Sequence, residues 1–169
     1  MLRAPISLAG STRRGMVTTQ VVLVSLSFFI IPWLALVADG GLLLVERRHA
    51  QATADAVALA AASDLYAYWN TNHGTDPSGT ALASALGVAS ANGYTNDGTT
   101  SKVTVNISPA KYSGGPNAGT TLLPGYVEAT VTWYQQRVFS GFFGSGAIPV
   151  SARAVAGVVQ GPPRVGLVE

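Results

Sequence analysis

The sequence predicts an α+β protein: a long N-terminal helix followed by a small domain with an antiparallel sheet of about three strands. Three observations carry this. A charge-free apolar run lies near the N-terminus, an alanine-rich stretch of helix formers follows it, and three segments in the C-terminal half alternate apolar and polar residues. At 169 residues the chain fits one compact domain plus an anchor. Its charged fraction of 11% against 48% hydrophobic residues is well below the roughly 25% charge of soluble domains, which points to a membrane segment or a buried interface.

The first fifteen residues form a basic leader with Arg3, Arg13 and Arg14 and no acidic group. From Gly15 to Ala38 there is no charge, and the run from Val21 to Val37 is dense in Leu, Ile, Val and Phe. A helix needs about 20 apolar residues to cross a hydrocarbon core, so residues 16–38 are expected to be a transmembrane helix. Arginines before the run and Asp39 after it place residues 1–15 in the cytoplasm and everything after Asp39 outside. Pro32 removes one helical hydrogen bond and is expected to kink the span without ending it. A cleavable signal peptide is the rival reading, but its apolar core is shorter, and Leu36-Val37-Ala38 sets a bulky leucine where cleavage favours a small residue. Ser11-Thr12-Arg13-Arg14 also has the look of a twin-arginine signal, though this core is more hydrophobic than that class favours.

After Gly40-Gly41, where the helix has room to bend, Ala, Leu, Arg and Gln dominate as far as Trp69. Residues 39–70 are therefore expected to be a helical stalk outside the membrane. Val45, Ala52, Leu59 and Tyr66, with Ala56 beside them, form a helical stripe, and the many alanines permit close packing of a helix or sheet. Gln51 and Asp55 lie one turn apart, and Arg48 precedes Asp55 by two turns. Asp55 is either a contact or ion ligand or, more simply, a solvated helix residue. A helix over residues 16–69 would be about 80 Å long.

Residues 71–160 are expected to form the small α+β domain, and 161–169, beginning Gly161-Pro162-Pro163-Arg164, an exposed, mobile tail. Asn, Thr, Gly, Asp and Pro crowd residues 70–79 into a loop. Thr80 to Gly93 reads as a short helix, capped by Thr80 or Ser78 and stopped by Gly93, with Leu82, Leu86 and Ala89 on one face. The strands are Lys102 to Ser108, Tyr126 to Gln135 and Ile148 to Val158, each with a period-two apolar face. Val103, Val105 and Ile107 form that face in the first, Val127, Ala129, Val131 and Trp133 in the second, and the even-numbered residues from Ile148 to Val158 in the third. A Gly/Pro-rich loop (113–125) and a Phe-rich turn or short helix (138–144) connect them. The sheet is expected to carry the alanine-rich helix and the second helix on one face, a two-layer arrangement.

Residues 37–62 contain Asp39, Arg47, Arg48, and then Gln51, Asp55, Ala56, Ala58, Leu59 and Ala60 as a Gln-x-x-x-Asp-Ala-x-Ala-Leu-Ala run. With Arg14-Gly15 before the apolar span, this order resembles the N-terminal membrane-anchor module of the Tad (TadE/TadG-like) family of Flp pilus-assembly proteins. The likeness covers about residues 13–62 and continues more weakly through Ala91 to Tyr94, Phe139 to Gly144 and Val150 to Ala156. It implies a pilin-like fold for the outer domain and a place in the cytoplasmic (inner) membrane, crossed once. It also implies a non-enzymatic role as an assembly subunit or minor pilin-like component. The implied partners are the bilayer and other pilus-assembly or pilin-like subunits, met through the N-terminal helix. Arg13-Arg14-Gly15 also looks like a prepilin leader, in which a peptidase cuts after the glycine and the fifth mature residue is glutamate. Cleavage before Met16 would make Gln20 that fifth residue, which keeps the shape of glutamate and loses its charge. Gly15, Met16 and Gln20 are thus the candidate processing positions.

No catalytic, cofactor-binding or metal-binding constellation emerges. Cysteine is absent, which excludes disulfides and thiol chemistry. His49, beside Arg47 and Arg48, reads as interfacial or solvated, and His73 with Asp76 nearby lacks further ligands. Asn96-Asp97-Gly98 is a turn, Gly114-Gly115-Pro116 lacks the lysine of a phosphate loop, and the sequon at Asn106 lies in a predicted strand. A net charge of +2 without a basic, aromatic-laced patch argues against nucleic acid, and no small-molecule substrate is evident. Phe139, Phe142 and Phe143 are either a plug under the sheet or an exposed contact for a partner or the outer leaflet. The competing function is an anchored envelope binding or structural protein unrelated to pili; a secreted enzyme or carbohydrate binder is the third class.

Overall fold

The structure, a computed structural model, describes residues 12–138, 141 and 144–158, with side chains from residue 17 onward. The two readings of Phe139, Phe142 and Phe143, as a plug or as an exposed contact, and the expected tail at 161–169 fall outside the described residues. Six elements follow one another: α1 (Thr12–Ala67), α2 (Trp69–Asn72), α3 (Thr80–Ala91), β1 (Ser101–Ile107), β2 (Tyr126–Gln135) and β3 (Ile148–Gly157). The fold class is α+β, and β1-β2-β3 form one antiparallel sheet in sequence order.

Helix α1 has 56 residues and runs through both Pro32 and Gly40-Gly41, which corresponds to about 84 Å. Its two parts differ in what surrounds them. From Val17 to Val37 the large apolar side chains stand exposed, Phe28 by 78% and Leu34 by 63%. From Asp39 onward one face is covered, and Ala50, Ala54, Val57, Ala58, Ala61, Ala62 and Leu65 are buried at helical spacing.

The covered face is not the one that the heptad spacing suggested. Val45, Leu59 and Tyr66 are exposed, and Ala52 with them. The sheet lies against the alanine face because a methyl side chain lets backbones approach more closely than a branched one. The same preference sets α3, which buries Ala81, Ala85 and Ala89 and leaves Leu82 40% exposed. Leu86 is only partly buried against this core. Neither expected hydroxyl caps α3: Gly79 occupies the N-cap position, and the Asp76 carboxylate accepts the Leu82 N–H at 3.0 Å. Thr80 instead donates to Asp64 at 2.8 Å, fastening the start of α3 to α1. At the other end the chain turns at Gly93, and the Tyr94 N–H reaches back to the Ala89 carbonyl.

The register lines up the apolar face in rows. Val103, Val131 and Ala152 form one row, Val105, Ala129 and Ala154 the next, and Ile107, Val127 and Ala156 the third. β1 begins at Ser101 and ends at Ile107, one residue earlier than the alternation indicated. β3 follows α1 in the same direction. Ile148 lies beside Asp39, Leu42 and Leu43, Arg153 beside Gln51, and residues 154–158 beside the stretch from Asp55 to Tyr66.

At the end of the sheet far from Asp39, the Gly125 N–H donates to the Gly74 carbonyl at 2.8 Å, and the Val158 N–H to the Gly125 carbonyl at 3.0 Å. Gly125 has φ +84, and a Cβ there would lie 2.6 Å from the Trp69 ring and 2.7 Å from the Val158 carbonyl oxygen. Gly125→Ala is therefore expected to destabilise the folded part by about 2 to 4 kcal/mol. Gly87→Ala, in helix α3 with open space around it, should be neutral or slightly stabilising. Urea unfolding in detergent, followed by tryptophan emission, compares the two; equal midpoints would contradict the close approach.

Candidate membrane and assembly interface

The first component of the site is the exposed stretch of α1. It meets the length and composition required to cross a membrane, and none of its most apolar window is buried within the protein. That combination supports a membrane-anchored protein, since a soluble core helix of this hydropathy would be covered. Gln20 is exposed on this stretch, and Arg14, Gly15 and Met16 are part of the same helix.

The second component is the junction at Asp39, the first charged residue after the apolar run. Asp39 is 7% exposed. With Leu42 and Leu43 it lines a small pocket completed by Gln135, Gln136, Arg137 and Ile148. The carboxylate is thus enclosed by the two ends of the β2–β3 connection, and Arg137 Nε donates to the Gly146 carbonyl at 3.2 Å across that connection.

Further along α1 the charged and polar residues singled out in the sequence divide by face. Arg47 and Arg48 are exposed. Gln51 Nε2 donates to Asp55 Oδ1 at 3.0 Å and to the Arg153 carbonyl at 3.2 Å. Among the described strands β3 lies at the sheet edge, so Gln51 satisfies part of an edge that would otherwise be open to pairing. Ala56 is half-buried. Asp55 and Leu59 line a groove of about 490 Å³ between α1 and residues 154–158, with Ser63 and Tyr66. His49 is not simply solvated. Its ring stacks on Tyr94 at 5.5 Å, its Nδ1 lies 3.2 Å from the Tyr94 hydroxyl, and Tyr94 meets Trp133 edge-on.

Sequence reasoning missed the polar cluster on the sheet's other face. Glu128 of β2 is fully buried, beneath the 109–125 loop. It accepts hydrogen bonds from Asn106 Nδ2 at 2.9 Å and the Ser113 N–H at 2.6 Å, and it is ion-paired with Arg153 Nε. Burial pushes its carboxyl up. The Ser113 N–H, the guanidinium and the Asn106 amide outweigh that and lower it to about 2. Asn106, the residue of the sequon, is thereby committed to the strand and to Glu128. Asp97 is held well below the ordinary carboxylate range by the Thr100 hydroxyl and by the N–H groups of Thr100, Thr99 and Ser101. This is the turn read from Asn96-Asp97-Gly98. His73 lies at the C-terminal end of α2 in a left-handed conformation. Among the described residues no group of three or more His, Asp or Glu gathers as a metal site.

The stretch that carries the span, the Asp39 junction and the Gln51 bond is also the stretch with a recognisable relationship. Residues 15–64 match the Tad family model. That family is described as putative Flp pilus-assembly TadE/G-like, which associates the N-terminal part of the chain with Flp pilus assembly. The Tad match ends inside α1, before α3 and the sheet. No curated protein and no solved structure gives a significant match to the chain.

Proposed function

We propose that this chain is a non-catalytic, membrane-anchored component of Flp/Tad-type pilus assembly, acting as an assembly subunit or minor pilin-like subunit. Residues 16–38 cross the cytoplasmic membrane once, residues 1–15 remain in the cytoplasm, and the stalk (39–70) and the α+β part (71–160) stand outside. The observation that carries the reading is the position of the Tad match. It covers one helix that supplies both the exposed apolar stretch and the face on which the sheet is built. Partner subunits are met through that helix, where small side chains permit close helix contact. The arrangement of titratable groups supports a non-catalytic role, since Glu128, Asp97 and His49 are engaged in holding loops and strands together.

Deleting the gene is expected to abolish surface fibres, measured as pilin in the sheared fraction. The full chain should restore them and a chain lacking residues 16–38 should not. Undiminished fibres in the deletion strain would favour an anchored envelope protein unrelated to pili. Gly15 is proposed to remain uncut, because Gln20 lacks the charge that glutamate supplies at the fifth mature position. Peptide mass spectrometry should find residues before Gly15 in the membrane fraction. A protein starting at Met16 in the sheared fraction would mean a processed subunit.

A further inference from the structure

The Asp39 junction fixes where the sheet sits relative to the end of the apolar run. Ala38 is the last residue of that run, and the next residue, Asp39, packs against Gln135, Arg137 and Ile148. Both ends of the β2–β3 connection are therefore level with the helical turn at which α1 leaves the hydrocarbon. The opposite end of the sheet, at Gly125 and Trp69, lies about 30 Å away, the length of the ten-residue strands β2 and β3.

The face of α1 that this connection covers continues into the span. Ala35 and Ala38 precede Asp39 and Leu42 by one turn each, and an apolar hollow of about 390 Å³ opens beside Ile31, Leu34, Ala35 and Ala38. Val138, next to Arg137 at this junction, is 57% exposed. The described flanks of the connection, residues 135–138 and 144–148, suit the edge of a headgroup layer, with one arginine and no acidic group.

Given the reading of residues 16–38 as a membrane span, we propose that the base of the β2–β3 connection, with Val138 foremost, rests in the phospholipid headgroup layer. This makes a second membrane contact that fixes which end of the sheet faces the bilayer. The occupant of the surface is lipid, because the surface is continuous with the lipid-facing stretch of α1. An isolated helix is free to rotate about its axis; a helix with this lateral foot is not.

The absence of cysteine makes the test direct. Single cysteines are placed at Val138, at Leu26 in the span and at Thr71 in α2 at the far end. Each full-length variant is spin-labelled and reconstituted in phosphatidylcholine/phosphatidylglycerol vesicles, and collision with oxygen is compared with collision with a water-soluble nickel chelate. The expected result is hydrocarbon depth at 26, headgroup depth at 138 and full aqueous exposure at 71, with the oxygen-to-nickel ratio at 138 several-fold above that at 71. A label at 138 as water-exposed as that at 71, with 26 still in hydrocarbon, overturns the foot and leaves the span standing. A label at 138 shielded from both quenchers only at high protein-to-lipid ratio means that a second copy covers the surface, which also overturns it. Aqueous exposure at 26 would overturn the span reading itself.

Discussion

Replacing Leu26 and Ile30 together by arginine is expected to remove the protein from the membrane. Both side chains belong to the exposed apolar stretch of α1, 52% and 45% accessible, so neither substitution disturbs a packed core. Each arginine near the centre of a spanning helix costs about 2.5 to 3.5 kcal/mol of insertion free energy. The pair thus disfavours insertion on the order of a thousand-fold or more. Carbonate extraction of membranes reads the outcome: the wild-type chain stays in the pellet, the double variant leaves it, and Thr71→Arg in α2 behaves as wild type. A double variant that still pelleted with the lipid would mean that residues 17–38 are not the anchor.

The second large effect is expected at Glu128. Asn106, Ser113 and Arg153 all present donors to it, so the position demands an acceptor on every side. Glu128→Gln supplies one acceptor and turns an amide N–H₂ toward other donors, which should cost about 2 kcal/mol or more. Arg153→Met leaves a buried carboxylate without its counter-charge, with a cost of about 3 kcal/mol. Because the folded-state carboxyl is lowered, to about 2, its contribution is complete above the unfolded value near 4.5. It is lost as pH falls from there toward 2, and amounts to roughly 2 to 3 kcal/mol. Urea midpoints of the wild type should therefore drop across that window. Glu128→Leu combined with Arg153→Met should lose this group's share of the pH dependence. An equally steep fall in the double variant would assign the acid sensitivity to other carboxylates.

How far the sequence spoke depended on whether a feature was local. The strands were legible because Val103, Val105 and Ile107, and likewise Val127, Ala129 and Val131, repeat every second residue whatever they pair with. The apolar run before Asp39 was legible for the same reason. The packed face of α1 was not, since apolar residues occupy both faces and hydropathy ranks Leu59 and Val45 above Ala54 and Ala58. Only the proximity of the sheet selects the smaller set. Glu128 stood in an alternating strand on what looked like the solvent side. Its burial follows from a loop and from Arg153 on the neighbouring strand, a register and a fold-over that residue order does not contain. Asp39 could be read as a boundary carboxylate, but its enclosure depends on residues near 135–148 returning to meet it.

The unbroken passage of α1 through Gly40-Gly41 turns the molecule into a lever. Because helical hydrogen bonding continues from the stretch bearing Phe28 to the stretch bearing Leu65, a change of inclination of the apolar stretch is carried toward the tip. From Ala38 to Ala67 the arm measures about 44 Å, so a tilt of roughly 10° sweeps its far end sideways by about 8 Å. A neighbour that grips only the apolar stretch can thereby reposition the sheet-bearing stretch, and the reverse holds equally.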